Sequence, residues 1–393
     1  MIIASVMTLI FYRLKQPIVI GFIVAGIIIG PHTPPFSLIH NTDVLNLFAE
    51  MGVILLLFTV GMEFPIQKLK RIGRKAIIIA TSEALGTLAI GFLTAQALGL
   101  GFYDSLFIAL AISVTSTVIV MRVLGELNMM KEESATLILG TAIIEDILII
   151  SLLAVFQSAG VSGDISINEI MISIAITIGF ITAVLAVGSK IVPKLIDIVA
   201  RTNQHDVLIV AAVGVAFGFA FISFQLGISV AAGAFFAGVL IAESRSHAVT
   251  SVLATPVKDI FAALFFVSVG ALMDFKLIPQ FIIPALILIG VSIGAKFLTV
   301  YISSRMQKVS NITSARTAVG LSSSGGEIAL VVAKGGIDVG AASAFILPMI
   351  GTMTIITTFI SPYVIKYGWR LTERFKKDTK ADKDQPLGKA TYD

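Results

Sequence analysis

The chain has 393 residues, 56% of them hydrophobic and only 13% charged, with a net charge of +4 at pH 7 and no cysteine. A soluble domain carries about 25% charged residues, so a chain this apolar needs lipid as the solvent for much of its surface. The missing cysteine excludes disulfides, thiolate metal sites and cysteine nucleophiles, and basic residues scattered between apolar runs, rather than gathered on one patch, argue against a nucleic-acid partner.

A helix crossing the membrane needs roughly 20 apolar residues. Apolar runs between polar or Gly/Pro punctuation predict thirteen spans, at 1–14, 17–31, 45–63, 75–100, 104–124, 134–157, 168–193, 206–224, 227–242, 256–273, 277–304, 313–336 and 341–365. The expected fold class is therefore an all-α polytopic membrane protein. The first run has no basic region before it, so a cleavable signal peptide is not expected. His32, His40, His205 and His247 fall in or near predicted loops and form no ligand motif.

Lys and Arg accumulate in cytoplasmic loops. With alternating sides, one face receives 25 of the 28 cations, the other receives Lys276 and Lys334, and Lys296 lies inside a span. Miscounting one internal span would destroy that asymmetry. It predicts an N-terminus outside, a cytoplasmic C-terminus and a multi-pass protein of the plasma membrane. Thirteen also divides as six, one and six, which makes the halves an inverted repeat. The first repeat covers about 1–160, the linker helix 168–193 and the second repeat about 206–365, all within a membrane domain of 1–370. Residues 371–393 form a short polar cytoplasmic tail.

Special features recur seven spans apart. The fifth span holds Ser113, Thr115, Ser116 and Thr117, and the twelfth holds Ser322, Ser323, Ser324, Gly325, Gly326 and Glu327. Hydroxyl side chains compete for backbone hydrogen bonds and glycine weakens a helix. The fifth-span cluster alone reads equally well as a packing face of small residues. A matched pair of interrupted helices points instead to a transporter's binding site.

A charge at the bilayer centre is costly and marks function by default. Glu145 and Asp146 sit in the middle of the sixth predicted span, with neighbouring side chains about 100° apart on the helix. One can take a partner while the other faces a pathway. A dehydrated carboxylate holds a proton or an alkali cation but not both, and that competition produces exchange. Lys296 pairs with a carboxylate, Glu145 being the first choice, or snorkels to an interface. Glu327 offsets a helix terminus, lines the route or is structural. Glu83, in the fourth span, shows no partner in the sequence and reads as structural. No nucleophile, resident metal or nucleotide motif suggests an enzyme or a cofactor.

At these residues the chain resembles the second family of monovalent cation:proton antiporters, the NapA-type sodium/proton and Kef-type potassium/proton transporters. The matching stretches are Gln16–Gly21, Ala25–Pro31, Glu50–Glu63, Ser113–Met121, Glu145-Asp146, Leu264–Gly270 and Ser324–Ala329. The resemblance implies two crossed, unwound helices (spans five and twelve), a homodimer and an elevator motion. The moving core would be spans 4–6 and 11–13, and the remaining spans the scaffold. It maps the ion-binding aspartate to Asp146 and its preceding acid to Glu145, which is Asp or Gln in the two subgroups. It maps the paired lysine to Lys296. It also places hydroxyls at Thr115 and Ser116. Kef-type members usually carry a cytoplasmic nucleotide-binding domain after the last span, but the short polar tail has no G-x-G-x-x-G motif and no room for one, so no such domain is expected in this chain. The expected activity is Na⁺/H⁺ exchange, with Na⁺ (or K⁺ or Li⁺) at Asp146. K⁺/H⁺ exchange is the alternative, and a channel or an organic-anion symporter of related fold lies further off.

Overall fold

Long apolar segments in lipid satisfy their own backbone groups by becoming helices. A computed structural model describes residues 1–14, 16–33, 38–39, 42–63, 73–126, 129, 132–160, 175–176, 179–226, 230–323, 325–326 and 328–381. Among these there is no strand, only an isolated backbone bridge.

The helices run in order. They are α1 (Ile2–Arg13), α2 (Ile18–Ile29), α3 (Thr42–Met62), α4 (Arg74–Ala97), α5 (Phe102–Ile112), α6 (Thr117–Glu126), α7 (Glu133–Gly160) and α8 (Ser189–Ala200). Then come α9 (His205–Gln225), α10 (Val230–Ala242), α11 (His247–Leu272), α12 (Ile278–Met306), α13 (Asn311–Ser322), α14 (Ile328–Asp338) and α15 (Ile346–Ala381). Seven described helices are long and apolar enough to cross a membrane alone: α3, α4, α7, α9, α11, α12 and α15. Helices α1, α2, α5 and α10 are apolar but shorter. A one-turn π segment, Val184–Gly188, leads into α8.

Packing divides the helices into two groups. Helices α10 and α11 pack on α3, with α2 on α11, α9 on α10 and α1 on α2. In the other group α4 packs on α5, α7 and α12, α13 on α7, α12 and α15, and α14 on α5 and α15. Small residues set the closest contacts in the first group. A Cβ at Gly238 would overlap the Phe58 carbonyl oxygen, and one at Gly61 would overlap that of Phe235. Glycines at both positions let α3 and α10 approach backbone to backbone, the contact that bilayer helices use when no hydrophobic drive separates protein from lipid.

Several boundaries differ from the sequence reading. Helix α11 begins at His247 and carries Pro256 in its interior, where the sequence suggested a start. The polar tail expected from 371 continues α15 as far as Ala381. Arg316, counted with the loop cations, is buried in α13. Its guanidinium pairs with Glu132 at 3.0 Å and lies over the Trp369 ring, 5.1 Å from the ring centroid. Lys334, assigned to the opposite loops, is buried in α14 beside Asp338. Long basic side chains bury their stems readily once a carboxylate is close, and a one-dimensional hydropathy reading cannot see that partner.

Asp197, past the apolar stretch leading into α8, ties that helix to the α10–α11 turn. Ser244 Oγ donates to its carboxylate at 2.8 Å and the Ser246 amide at 3.1 Å. Partial burial pushes this carboxyl up, but the hydrogen bonds outweigh it and hold the group below the usual aspartate value. A lowered folded value means stability that is complete above about pH 4 and is lost as pH falls through the folded value. Purified Asp197→Asn protein is therefore expected to lose less thermal stability than the parent chain between pH 5 and pH 3, as read by its melting curve. Parallel curves would remove Asp197 from the acid response.

Candidate functional site

The site grows from two helix interruptions. Ser113 turns its hydroxyl back to the Ala109 carbonyl at 2.9 Å, and α5 ends at Ile112 with its last turn tightened. Helix α6 restarts at Thr117, with the Ser116 hydroxyl 3.5 Å from the Ile119 amide. In the second half, α13 stops at Ser322 and α14 starts at Ile328. The two breaks touch. Thr115 and Gly325 form an antiparallel bridge, and the Gly326 amide donates to the Val114 carbonyl at 3.3 Å. A Cβ at Gly326 would come within 2.6 Å of Val114 Cγ1, so the crossing needs glycine there.

Neighbouring helices satisfy polar groups freed by the breaks. Ser292 Oγ on α12 donates to the Ile112 carbonyl at 2.9 Å. Thr357 Oγ1 on α15 accepts from the Gly325 amide at 3.2 Å, and the Ser323 and Ser361 hydroxyls lie 3.2 Å apart. Unpaired backbone at this depth would cost several kcal/mol per group. The broken segments are therefore held by protein, with opposing partial charges from four helix ends brought together.

Lys296 ties this crossing to the acids. Its Nζ donates to Thr115 Oγ1 at 2.8 Å, and that hydroxyl donates to the Leu321 carbonyl at 3.1 Å. The same ammonium lies 3.8 Å from Glu145 Oε1 and 3.9 Å from Glu83 Oε1. Lys296 is 1% exposed and both glutamates 0%. Four elements, α4, α7, α12 and the first break, thus converge on one buried cation. The sequence named Glu145 as the first choice of partner. It missed Glu83, whose only signal was a carboxylate in mid-span, because the α4–α12 contact that brings it to Lys296 leaves no local pattern.

Asp146 follows Glu145 on α7 and is 5% exposed. Its helical stripe, at i+4, i+7 and i+11, continues through Ile150, Leu153 and Gln157. Leu153 and Gln157 line a cavity of about 590 Å³ between the two helix groups, with Glu50 and Phe217 on the far wall. Ser113, Thr115 and Ser116 are buried at the first break, and Gly325 and Gly326 lie at the second. Ser324 and Glu327 fall outside the described residues, and Thr117 is placed by its backbone alone.

Chemically, the site offers carboxylates, hydroxyls and helix-end carbonyls of hard-oxygen character, the donor set that suits an alkali cation. Among the described residues no cluster of three His, Cys, Asp or Glu side chains forms a resident metal site.

Comparison with known proteins places this architecture. Residues 1–367 match the family described as sodium/hydrogen exchanger, transmembrane. The chain is 28% identical to the Na⁺/H⁺-K⁺ antiporter GerN of Bacillus cereus, over 94% of each chain. It is 27% identical to the K⁺/H⁺ antiporter subunit KhtU of Bacillus subtilis, over 96% of this chain and 94% of that one. Its fold superposes on the sodium proton antiporter MjNhaP1 from Methanocaldococcus jannaschii with a TM-score of 0.71 at 20% identity, covering 94% and 95% of the two chains. An all-helical, multi-pass membrane chain with interrupted helices crossing beside buried acids, it belongs to the sodium/hydrogen exchanger transmembrane family.

Proposed function

We propose that the protein exchanges Na⁺ for H⁺ across the plasma membrane by alternating access, with Asp146 carrying either ion in turn. The observation that carries this reading is the buried Lys296–Glu145 pair, hydrogen-bonded through Thr115 to the helix crossing, with Asp146 one residue further along α7. Na⁺ sheds part of its water for the Asp146 carboxylate and for hydroxyls or carbonyls near Ser113–Thr117. A proton on Asp146 removes the charge that holds the ion, so occupancy by one excludes the other. In this scheme proton binding at Asp146 goes with release or re-formation of the Glu145–Lys296 pair. Helix-end dipoles at the crossing offset bare charge in both states.

The two packing groups supply the moving parts. Helices α4–α7 and α12–α15 act as the core that carries the site, and the α3-centred group acts as scaffold and dimer surface. Thirteen spans, a six-plus-six inverted repeat and a cytoplasmic C-terminus complete the scheme. The likeness to GerN, whose name joins both cations, and to KhtU favours K⁺/H⁺ exchange as the second reading. One assay separates them. In proteoliposomes under an imposed pH gradient, Na⁺ and Li⁺ should dissipate the gradient at lower concentration than K⁺. A K⁺ preference would replace the first reading with the second, and current without coupled proton movement would replace both with a channel.

A further inference from the structure

We infer that Lys334 and Asp338 set the electrostatic threshold of the route by which the cation reaches Asp146. This rests on the antiport reading above and adds residues to it. The cavity of about 590 Å³ is lined by α3, α9 and α10 on one side and by α7 and α14 on the other. Its α7 wall, Leu153 and Gln157, continues the stripe that carries Asp146. Leu153 lies seven residues beyond Asp146, about 10 Å by helix rise. The cavity is therefore a vestibule leading toward the acid from the end of α7 that bears Gln157. By the cation pattern, that end faces away from the cytoplasm.

Among the described residues, three charged side chains line this vestibule: Glu50, Lys334 and Asp338. Lys334 is the unexpected one. It is 7% exposed, sits in the α14 segment that follows the second break, and has no part in the exchange scheme. Its ammonium pairs with Asp338 one turn on, whose side chain is 37% exposed. Gln157 Nε2 donates to the Gly335 carbonyl at 2.8 Å and holds α14 against α7 beside the pair. An uncompensated cation in a low-dielectric vestibule lowers the local concentration of alkali ions, and a compensated one does not. Asp338 thus masks Lys334, and Glu50 on the opposite wall keeps the mouth attractive to cations.

The test uses the full chain in liposomes, with Na⁺ presented to one face at a time. On the vestibule face, Lys334→Gln should lower KM for Na⁺ about fivefold, and Asp338→Asn should raise it about fivefold. Turnover at saturating Na⁺ should stay within about twofold in both, because both residues belong to the vestibule lining and not to the proposed ion site. Lys334→Arg should keep the parent KM, and the double variant Lys334→Gln/Asp338→Asn should return close to it. About 0.5 M choline chloride should flatten all these differences. Unchanged KM in Lys334→Gln and Asp338→Asn with exchange intact would overturn the inference, as would equal shifts at both faces. Should Lys334→Gln fail to fold, the half-exposed Asp338→Asn decides alone. Loss of exchange in the parent chain is a different result and would sink the antiport reading instead.

Discussion

Asp146→Asn is expected to abolish cation-driven proton movement, by roughly 100-fold or more, the scale of losing a charged ligand from a dehydrated site. Asparagine matches the aspartate in shape but carries no charge and takes up no proton at working pH. It can neither attract a partly dehydrated Na⁺ nor alternate with H⁺. The Lys296 cluster, built on Glu145 and Glu83, keeps all of its charges in this variant. A melting temperature close to that of the parent chain, with no gradient dissipation above empty liposomes, is the expected pair of results. Intact exchange in that variant would reject the role of Asp146.

Lys296→Met should be the most destabilising single change in the site. Methionine fills similar volume but leaves Glu83 and Glu145, both fully buried, without their shared ammonium. It also leaves Thr115 Oγ1 without its donor at the crossing. Breaking one partner from a buried ion pair costs about 3–5 kcal/mol, most of it the penalty of the charges left behind. The protein has an alternative to bare carboxylates, namely protonation, so the loss should ease as pH falls. Thermal unfolding in detergent at several pH values reads both effects. Adding Glu83→Gln to Lys296→Met should recover part of the loss, since one stranded charge is then removed, and the interaction energy follows from the double-mutant cycle. No loss in Lys296→Met, or no recovery in the double variant, would show that the three side chains do not act as one cluster.

Much of this was legible because the bilayer simplifies the rules. Apolar runs located the long helices α3, α4, α7, α9, α11, α12 and α15, while part of the span expected at 168–193 lies outside the described residues. The hydroxyl cluster at Ser113–Thr117 marked the gap between α5 and α6. The glycine pair Gly325-Gly326 marked the second gap, where a side chain would have blocked the crossing. Glu145 and Asp146 stood out because carboxylates are rare at that depth. What escaped the sequence were partners across space. Glu83 meets Lys296 only through the packing of α4 on α12. Arg316 and Lys334 read as loop cations because each lies near the end of a predicted span. The structure gives Arg316 to Glu132 and Trp369, and Lys334 to Asp338. Pro256 read as a helix start, yet α11 runs through it, with packing against α2 and α3 outweighing the missing amide.

The two helix groups differ in how they are held together. The α3-centred group is locked by glycine contacts such as Gly61 and Gly238, which favour a rigid frame. The other group holds the buried charges and the interrupted helices. The large cavity lies between the two groups. In the proposed exchange cycle the site would be carried by the second group and would open toward this boundary, as alternating access requires.

One buried carboxylate is expected to hold a cation or a proton but never both. Proton release from purified protein in weakly buffered detergent solution tests it without any gradient or membrane. Adding Na⁺ near the pH of half-maximal transport should acidify the solution, with release that saturates in Na⁺ and disappears in Asp146→Asn. Na⁺ binding with no proton release, or undiminished release from the Asp146→Asn protein, would contradict it.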